Sequence, residues 1–175
     1  MAIESGIIPD ELVRLLNYRI NQEELSSRIY YAMHEWLENQ GYFGAGDMLN
    51  RWSSKKSRHA EWASEFLEAF GYLPEVQKID QPKLEFTSLK DVIKRSYEQE
   101  IDLTEQCNDL ANKAADLGRY CVMTLALQYL REQRDEVKKV SNWLDRLTLI
   151  GDDPREIMLI DREMNSGGSM IAESN

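Results

Sequence analysis

Four long segments of this chain carry apolar residues at alternating steps of three and four, and each stripe is interrupted near its middle by polar or charged residues. The first runs Leu12, Leu16, Ile20, Glu23, Ser27, Tyr30, His34, Leu37. The second runs Leu49, Trp52, Lys56, His59, Ala63, Phe66, Phe70, and the third Leu89, Ile93, Ser96, Glu100, Leu103, Cys107, Leu110, Ala114, Leu117. The fourth is Val122, Ala126, Tyr129, Gln133, Glu136, Val140, Trp143, Leu147, where Gln133 and Glu136, three apart, share one inward face. A pattern of this period cannot settle as a sheet. It demands helices whose buried faces each bring polar groups to the same depth.

Helix ends follow from local chemistry. Pro9 suits a first helical turn and Gly41 a stop. A second helix fits between Gly46 and Gly71. Ser88 with Asp91 gives a capping signal for the third, which Gly118 closes or bends, and the fourth ends before Gly151. At about 1.5 Å per residue each helix is roughly 35 to 45 Å long. Short turns near Gly41 and Gly118 make two antiparallel hairpins. The longer segment from Gly71 to Ser88, with Pro74 and Pro82, is long enough to run the length of a bundle and start the third helix parallel to the second. After Gly151, Asp152 or Asp153 caps a short fifth helix starting at Pro154 and carrying Ile157, Met158, Leu159 and Ile160. The reading is therefore all-α: a four-helix bundle with a long crossover between helices two and three, plus a short fifth helix. Residues 1–164 are expected to form the bundle domain and 165–175 a flexible C-terminal tail.

With 42% hydrophobic and 30% charged residues among 175, the composition suits one soluble domain, and a net charge of -10 argues against general nucleic-acid binding. No apolar run is long enough to span a membrane and no signal peptide is recognisable, so a cytoplasmic location is expected. Cys107 and Cys121 are too few for a disulfide framework and are read as buried thiols.

Glu, His and Gln converging from several helices of a bundle are the ligand types that hold two iron or manganese ions. The usual set takes single glutamates from two helices and i, i+3 pairs from the other two. Here the singles are Glu23 and Glu100 and one pair is Gln133 and Glu136, while the other pair reads Lys56-Ser57-Arg58-His59. An ammonium has three donors and no lone pair, so Lys56 cannot ligate.

The chain resembles the ferritin family from Leu12 to Met164. The segment Leu16-Asn17-Tyr18-Arg19-Ile20-Asn21-Gln22-Glu23 is similar to the family's first-helix signature, with Tyr30 where ferritins keep a tyrosine beside the diiron site. Tyr97-Glu98-Gln99-Glu100 and Tyr129-Leu130-Arg131-Glu132-Gln133 are similar to the third- and fourth-helix signatures. The resemblance implies a subunit of a hollow 24-subunit cage that takes up Fe(II), oxidises it with oxygen at an intrasubunit diiron centre and stores ferric mineral. It also implies that Glu23 and His59 match ligands of one iron, and that Glu100, Gln133 and Glu136 match the second iron's surroundings. Lys56 stands where a glutamate bridges both irons, as lysine does in the light chain of animal ferritins.

On the face of the second helix that lines the cavity in ferritins, Arg51, Lys55 and Arg58 stand beside Glu61, and Glu132 and Asp135 keep acid on the fourth. The acidic threefold entry residues of animal ferritins would fall at Met123 and Ala126, so that entry route is not supported. Met48 and Met123 do not match the haem-binding methionine of bacterioferritins, and no haem is expected. Three readings stay open: an iron-storage subunit with an impaired or silent centre, alone or co-assembling with an active subunit; an active ferroxidase with a rearranged site; and a cage protein without iron chemistry.

Overall fold

The computed structural model describes residues 6–82 and 85–165; Asn165, expected to begin the tail, is the last residue of a helix, and the rest of the expected tail lies outside the described residues. Helices α1 (Asp10–Gln40), α2 (Phe43–Ala69), α3 (Leu89–Asp116) and α4 (Tyr120–Ile150) form the bundle, and α5 (Pro154–Asn165) packs mainly on α2. The crossover binds along α1 from end to end. Tyr72 Oη donates to the Ile8 carbonyl at 2.8 Å, Glu75 N to Asn17 Oδ1 at 2.9 Å, and Asn21 Nδ2 to the Lys78 carbonyl at 3.2 Å, while Phe86 meets the Trp36 ring near the far end of α1. Asn17 and Asn21, one turn apart, thus supply the polar groups an extended backbone needs where it crosses a helix surface. The result sets α3 antiparallel to α1 and parallel to α2, as the crossover length predicts.

Two apolar clusters fill the bundle. One gathers Leu12, Leu16, Ala63, Leu67, Leu110, Ala114, Val122 and their neighbours; the other gathers Met33, Leu37, Leu49, Val92, Ile93, Val140 and Leu147. Between them lies a layer of fully buried polar residues. In α3 and α4 the expected stripes are buried almost without exception, Leu117 and Trp143 being half-buried. In α1 the stripe shifts after Glu23: Ser26 and Met33 are buried, while Ser27 and His34 are half-buried. Ser26 Oγ accepts from Gln99 Nε2 of α3 at 2.9 Å, and His34 Nδ1 lies 3.0 Å from the Gly46 carbonyl of α2. Facing α2 and α3 at once widens the buried arc beyond a strict a/d seam.

The second helix starts at Phe43, earlier than the expected Gly46, and the reason is tertiary. A Cβ at Gly44 would overlap the backbone carbonyl of Asp161 in α5. The Asp161 carboxylate, 3% exposed, accepts from Gly44 N at 3.2 Å and Ala45 N at 2.8 Å, so a residue distant in sequence caps α2 and places negative charge at its N-terminus. At the other end of α5, Arg51 Nη2 donates to the Asn165 carbonyl at 3.1 Å and to the Met164 carbonyl at 3.4 Å. Asp153 Oδ1 accepts from Arg155 N at 2.9 Å, consistent with its expected capping role. Ile160, Asp161 and Met164 are the buried residues of α5, whereas Met158 and Leu159 are exposed. No described helix is long and apolar enough to cross a membrane.

If Asp161 anchors α5, Asp161→Ala should lower Tm by roughly 2 to 8 °C, the effect of losing about 1 to 2 kcal/mol of capping in a chain of this size. Gly44→Ala should expose the end of α5 to limited proteolysis. An unchanged Tm together with an unchanged digestion pattern would contradict the anchoring role.

Candidate metal centre

Each of the four long helices contributes to the polar layer. Glu23 comes from α1, Lys56 and His59 from α2, Glu100 from α3, and Gln133 and Glu136 from α4; all are less than 5% exposed. Tyr30, about two helical turns beyond Glu23, is also fully buried. The seven residues singled out from the sequence therefore meet in one place.

Lys56 is its hub. Its Nζ donates to Glu100 Oε2 at 2.8 Å, to Glu136 Oε2 at 2.8 Å and to Gln133 Oε1 at 3.2 Å, so all three ammonium hydrogens have acceptors. Burial opposes its charge, but Glu100, Glu23 and Glu136 outweigh burial and raise its pKa. Glu100 receives two further donors: Gln133 Nε2 at 2.8 Å and, at short range, the Tyr30 hydroxyl. Burial, then Glu100, holds the Tyr30 phenol far above its ordinary pKa, so it donates and does not ionise.

The two carboxylates that share Lys56 are shifted in opposite senses. Burial pushes Glu100 up despite Lys56, and the neighbouring Glu136 charge adds to the rise. Glu136 is brought down to about 2: burial works against ionisation, but Lys56 and then Lys55 overcome it. The difference has a visible source. Lys55 Nζ reaches Glu136 Oε1 at 3.0 Å and Glu132 Oε2 at 2.7 Å, giving Glu136 a second cation that Glu100 lacks. Glu100 is therefore the first of the pair to take up a proton on acidification.

The opposite side of the layer is built differently. Arg19, 2% exposed, brings Nη2 to 2.9 Å from Glu23 Oε1, an ion pair at i, i+4 whose angle does not make a hydrogen bond. Its Nη1 donates to Gln106 Oε1 at 3.2 Å and lies within 3.5 Å of the Leu103 carbonyl and Cys107 Sγ. Burial opposes ionisation of Glu23, yet Arg19, followed by His59 and Lys56, keeps its pKa below the ordinary value. His59 Nδ1 stands 3.8 Å from Glu23 Oε2, too far for a hydrogen bond. Both Glu23 oxygens and both His59 nitrogens lack hydrogen-bond partners among the described residues. The His59 ring lies against Trp62 at 4.5 Å between centroids, with Tyr129 edge-on.

Several participants were not assigned this role from sequence. Arg19 stands four residues before Glu23, the spacing of a helical ion pair, and that signal was available. Of the three cations expected on the cavity face, Lys55 pairs with Glu136 at the edge of the layer, Arg51 donates to the last carbonyls of α5, and Arg58 is exposed. Glu132 and Asp135, read as acidic groups facing the cavity, are paired with Lys55 and Arg134 respectively. Cys107 is buried, which pushes its thiol up to about 11, and Cys121 is half-buried; both are free.

Removing the hub should be costly. Lys56→Met leaves Glu100 and Glu136 buried without their shared cation and should lose about 3 to 5 kcal/mol near pH 7 in denaturant unfolding. The Glu136 contribution is fully present above its ordinary 4.5 and is lost as pH falls through about 2. The gap between wild type and Lys56→Met should therefore narrow across that acid window. A constant gap would show that the pair does not set it.

Residues 13–150 match the family model described as a ferritin-like domain. A probable bacterial non-heme ferritin-like protein of Haemophilus influenzae is 31% identical over 160 residues, covering 91% of this chain and 97% of that relative. The bacterial non-heme ferritin of Escherichia coli O157:H7 is 27% identical over the same span and coverage. In fold, the chain is similar to an open pore ferritin from Archaeoglobus fulgidus, with a TM-score of 0.88 at 23% identity over 90% of this chain and 98% of that one. With its signatures, crossover and family match in agreement, the chain belongs to the ferritin family.

Proposed function

We propose that this chain is a storage-type subunit of a ferritin cage whose inherited diiron centre is silenced by Lys56. The observation that carries this reading is the position of the Lys56 ammonium, within 2.8 Å of both Glu100 and Glu136 and hydrogen-bonded to Gln133. A bridging carboxylate would give each of two irons an oxygen ligand. The ammonium instead consumes the oxygens that the second iron would need, and it supplies positive charge where Fe(II) would have to enter. Arg19 adds positive charge beside Glu23, 2.9 Å from Oε1, without a hydrogen bond to either of its oxygens. Three buried carboxylates thus face two fully buried cations, with Lys55 as a third at the edge. The donor set as it stands does not fit two metal ions.

In this role the subunit contributes shell and mineral space, and oxidation of Fe(II) belongs to a partner subunit with glutamate at the Lys56 position or to the mineral surface. Exposed Tyr31, Leu73, Val76, Tyr120 and Leu149 provide apolar area for assembly into a cage of 24 subunits. Iron is the cargo in this reading, and no haem is involved. A working ferroxidase with a rearranged site requires Lys56, 1% exposed, to abandon three acceptors inside the bundle, which disfavours that reading.

Aerobic addition of about two Fe(II) per subunit, the loading of a two-metal centre, distinguishes these roles. Wild type should show ferric absorbance rising no faster than the buffer blank, and Lys56→Glu should oxidise Fe(II) faster while losing thermal stability in the metal-free state. Rapid oxidation by wild type would overturn the silent-centre reading.

A further inference from the structure

We propose that the peptide bond between Asp153 and Pro154 is a self-cleavage site, at which the Asp153 carboxyl cuts α5 from the bundle in mild acid. Of the four prolines only Pro154 follows an aspartate, and the bond lies in the turn after Gly151, where residues 151–156 are all exposed. Several features of that turn act on one bond. Asp153 Oδ1 accepts from Arg155 N at 2.9 Å, which holds the carboxylate on the side of its own link to Pro154, with Oδ2 unpartnered among the described residues. The Asp153 carbonyl oxygen accepts from Ile157 N at 3.0 Å at the positive end of α5, so a donor already points at the oxygen on which negative charge develops. Pro154 has no N–H, and its nitrogen leaves as a secondary amine that takes up a proton readily.

The step balances. A carboxyl oxygen of Asp153 adds to its own carbonyl carbon and closes a five-membered cyclic anhydride, while the bond to the Pro154 nitrogen breaks and that nitrogen takes a proton from the solvent. Water then opens the anhydride. Asp153 becomes a new carboxyl terminus and Pro154 a new amino terminus; one water is consumed, and nothing is oxidised or reduced. Acid drives departure of the amine.

The charged groups around the bond are those of its own turn. Asp152 precedes it, Arg155 and Glu156 follow, and among the described residues no ion pair or side-chain hydrogen bond from another element reaches any of them. Water and protons therefore have free access. The cut does not by itself release α5, because Asp161 still holds the Gly44 and Ala45 amides, Arg51 the Met164 and Asn165 carbonyls, and Arg146 the Glu163 carboxylate at 2.7 Å. α5 passes from a covalent part of the chain to a bound peptide.

The test is intact-mass spectrometry of the assembled protein held at about pH 4, where most of the Glu136 contribution to stability persists, with circular dichroism recording the fold. Wild type should split into residues 1–153 and 154–175, about tenfold or more faster than the same chain unfolded in urea at that pH, because only the folded turn aims Ile157 N at the carbonyl. Asp153→Ala should not split there, and Asp153→Glu, which must close a larger ring, should split far more slowly. Asp152→Ala should split like wild type. All these positions are exposed, so the variants should fold. No 154–175 fragment from wild type, a rate no faster than in urea, or the same cut in Asp153→Ala would overturn the proposal.

Discussion

A lysine ammonium shared by two glutamates and a glutamine, inside a bundle and beyond the reach of water, is the interaction on which the rest of this molecule depends. The polar layer separates two apolar clusters that would otherwise be one continuous core. Such a layer is tolerable only if each ion is compensated, because an uncompensated buried carboxylate is far more destabilising than the hydrogen bonds around it can repair. Lys56 compensates Glu100 and Glu136, Arg19 compensates Glu23, and Lys55 adds positive charge at the rim. Charge that a metal centre would obtain from two ions is supplied by side chains.

The compensation is uneven, and the unevenness carries the functional information. On the α3–α4 side every ammonium hydrogen has an acceptor, and Tyr30 and Gln133 complete the network around Glu100. On the α1–α2 side Glu23 and His59 keep polar atoms without hydrogen bonds. Buried groups left in that state are uncommon in folded proteins and mark places built for something else. A chain descended from a diiron site that has closed one half more tightly than the other would look like this.

Much of the fold was legible because buried helices repeat every three or four residues. The stripes of α3 and α4 predict burial nearly residue by residue, and the polar interruptions placed Glu23, Lys56, His59, Glu100, Gln133 and Glu136 in one layer. The readings that needed correction share a cause: they depended on contacts between residues far apart in the sequence. The start of α2 lies at Phe43 because Asp161, more than a hundred residues later, caps its first amides and sits where a side chain at Gly44 would be. The partners of Arg51 and Lys55, the end of α5 and the Glu132 and Glu136 carboxylates, were not legible because a helix wheel shows direction and not the partner that waits there. Arg19 was legible in principle, four residues before Glu23, but nothing local says that a surface-type ion pair will be buried whole.

In the proposed reading Lys56 occupies the place of the metal. Crystals of the protein soaked in Fe(II) and measured at the iron absorption edge test it directly. No anomalous density is expected between Glu23, Glu100 and Glu136, with Lys56 Nζ still within hydrogen-bond distance of Glu100 and Glu136. Two iron peaks in that space, with Lys56 turned away, would contradict it.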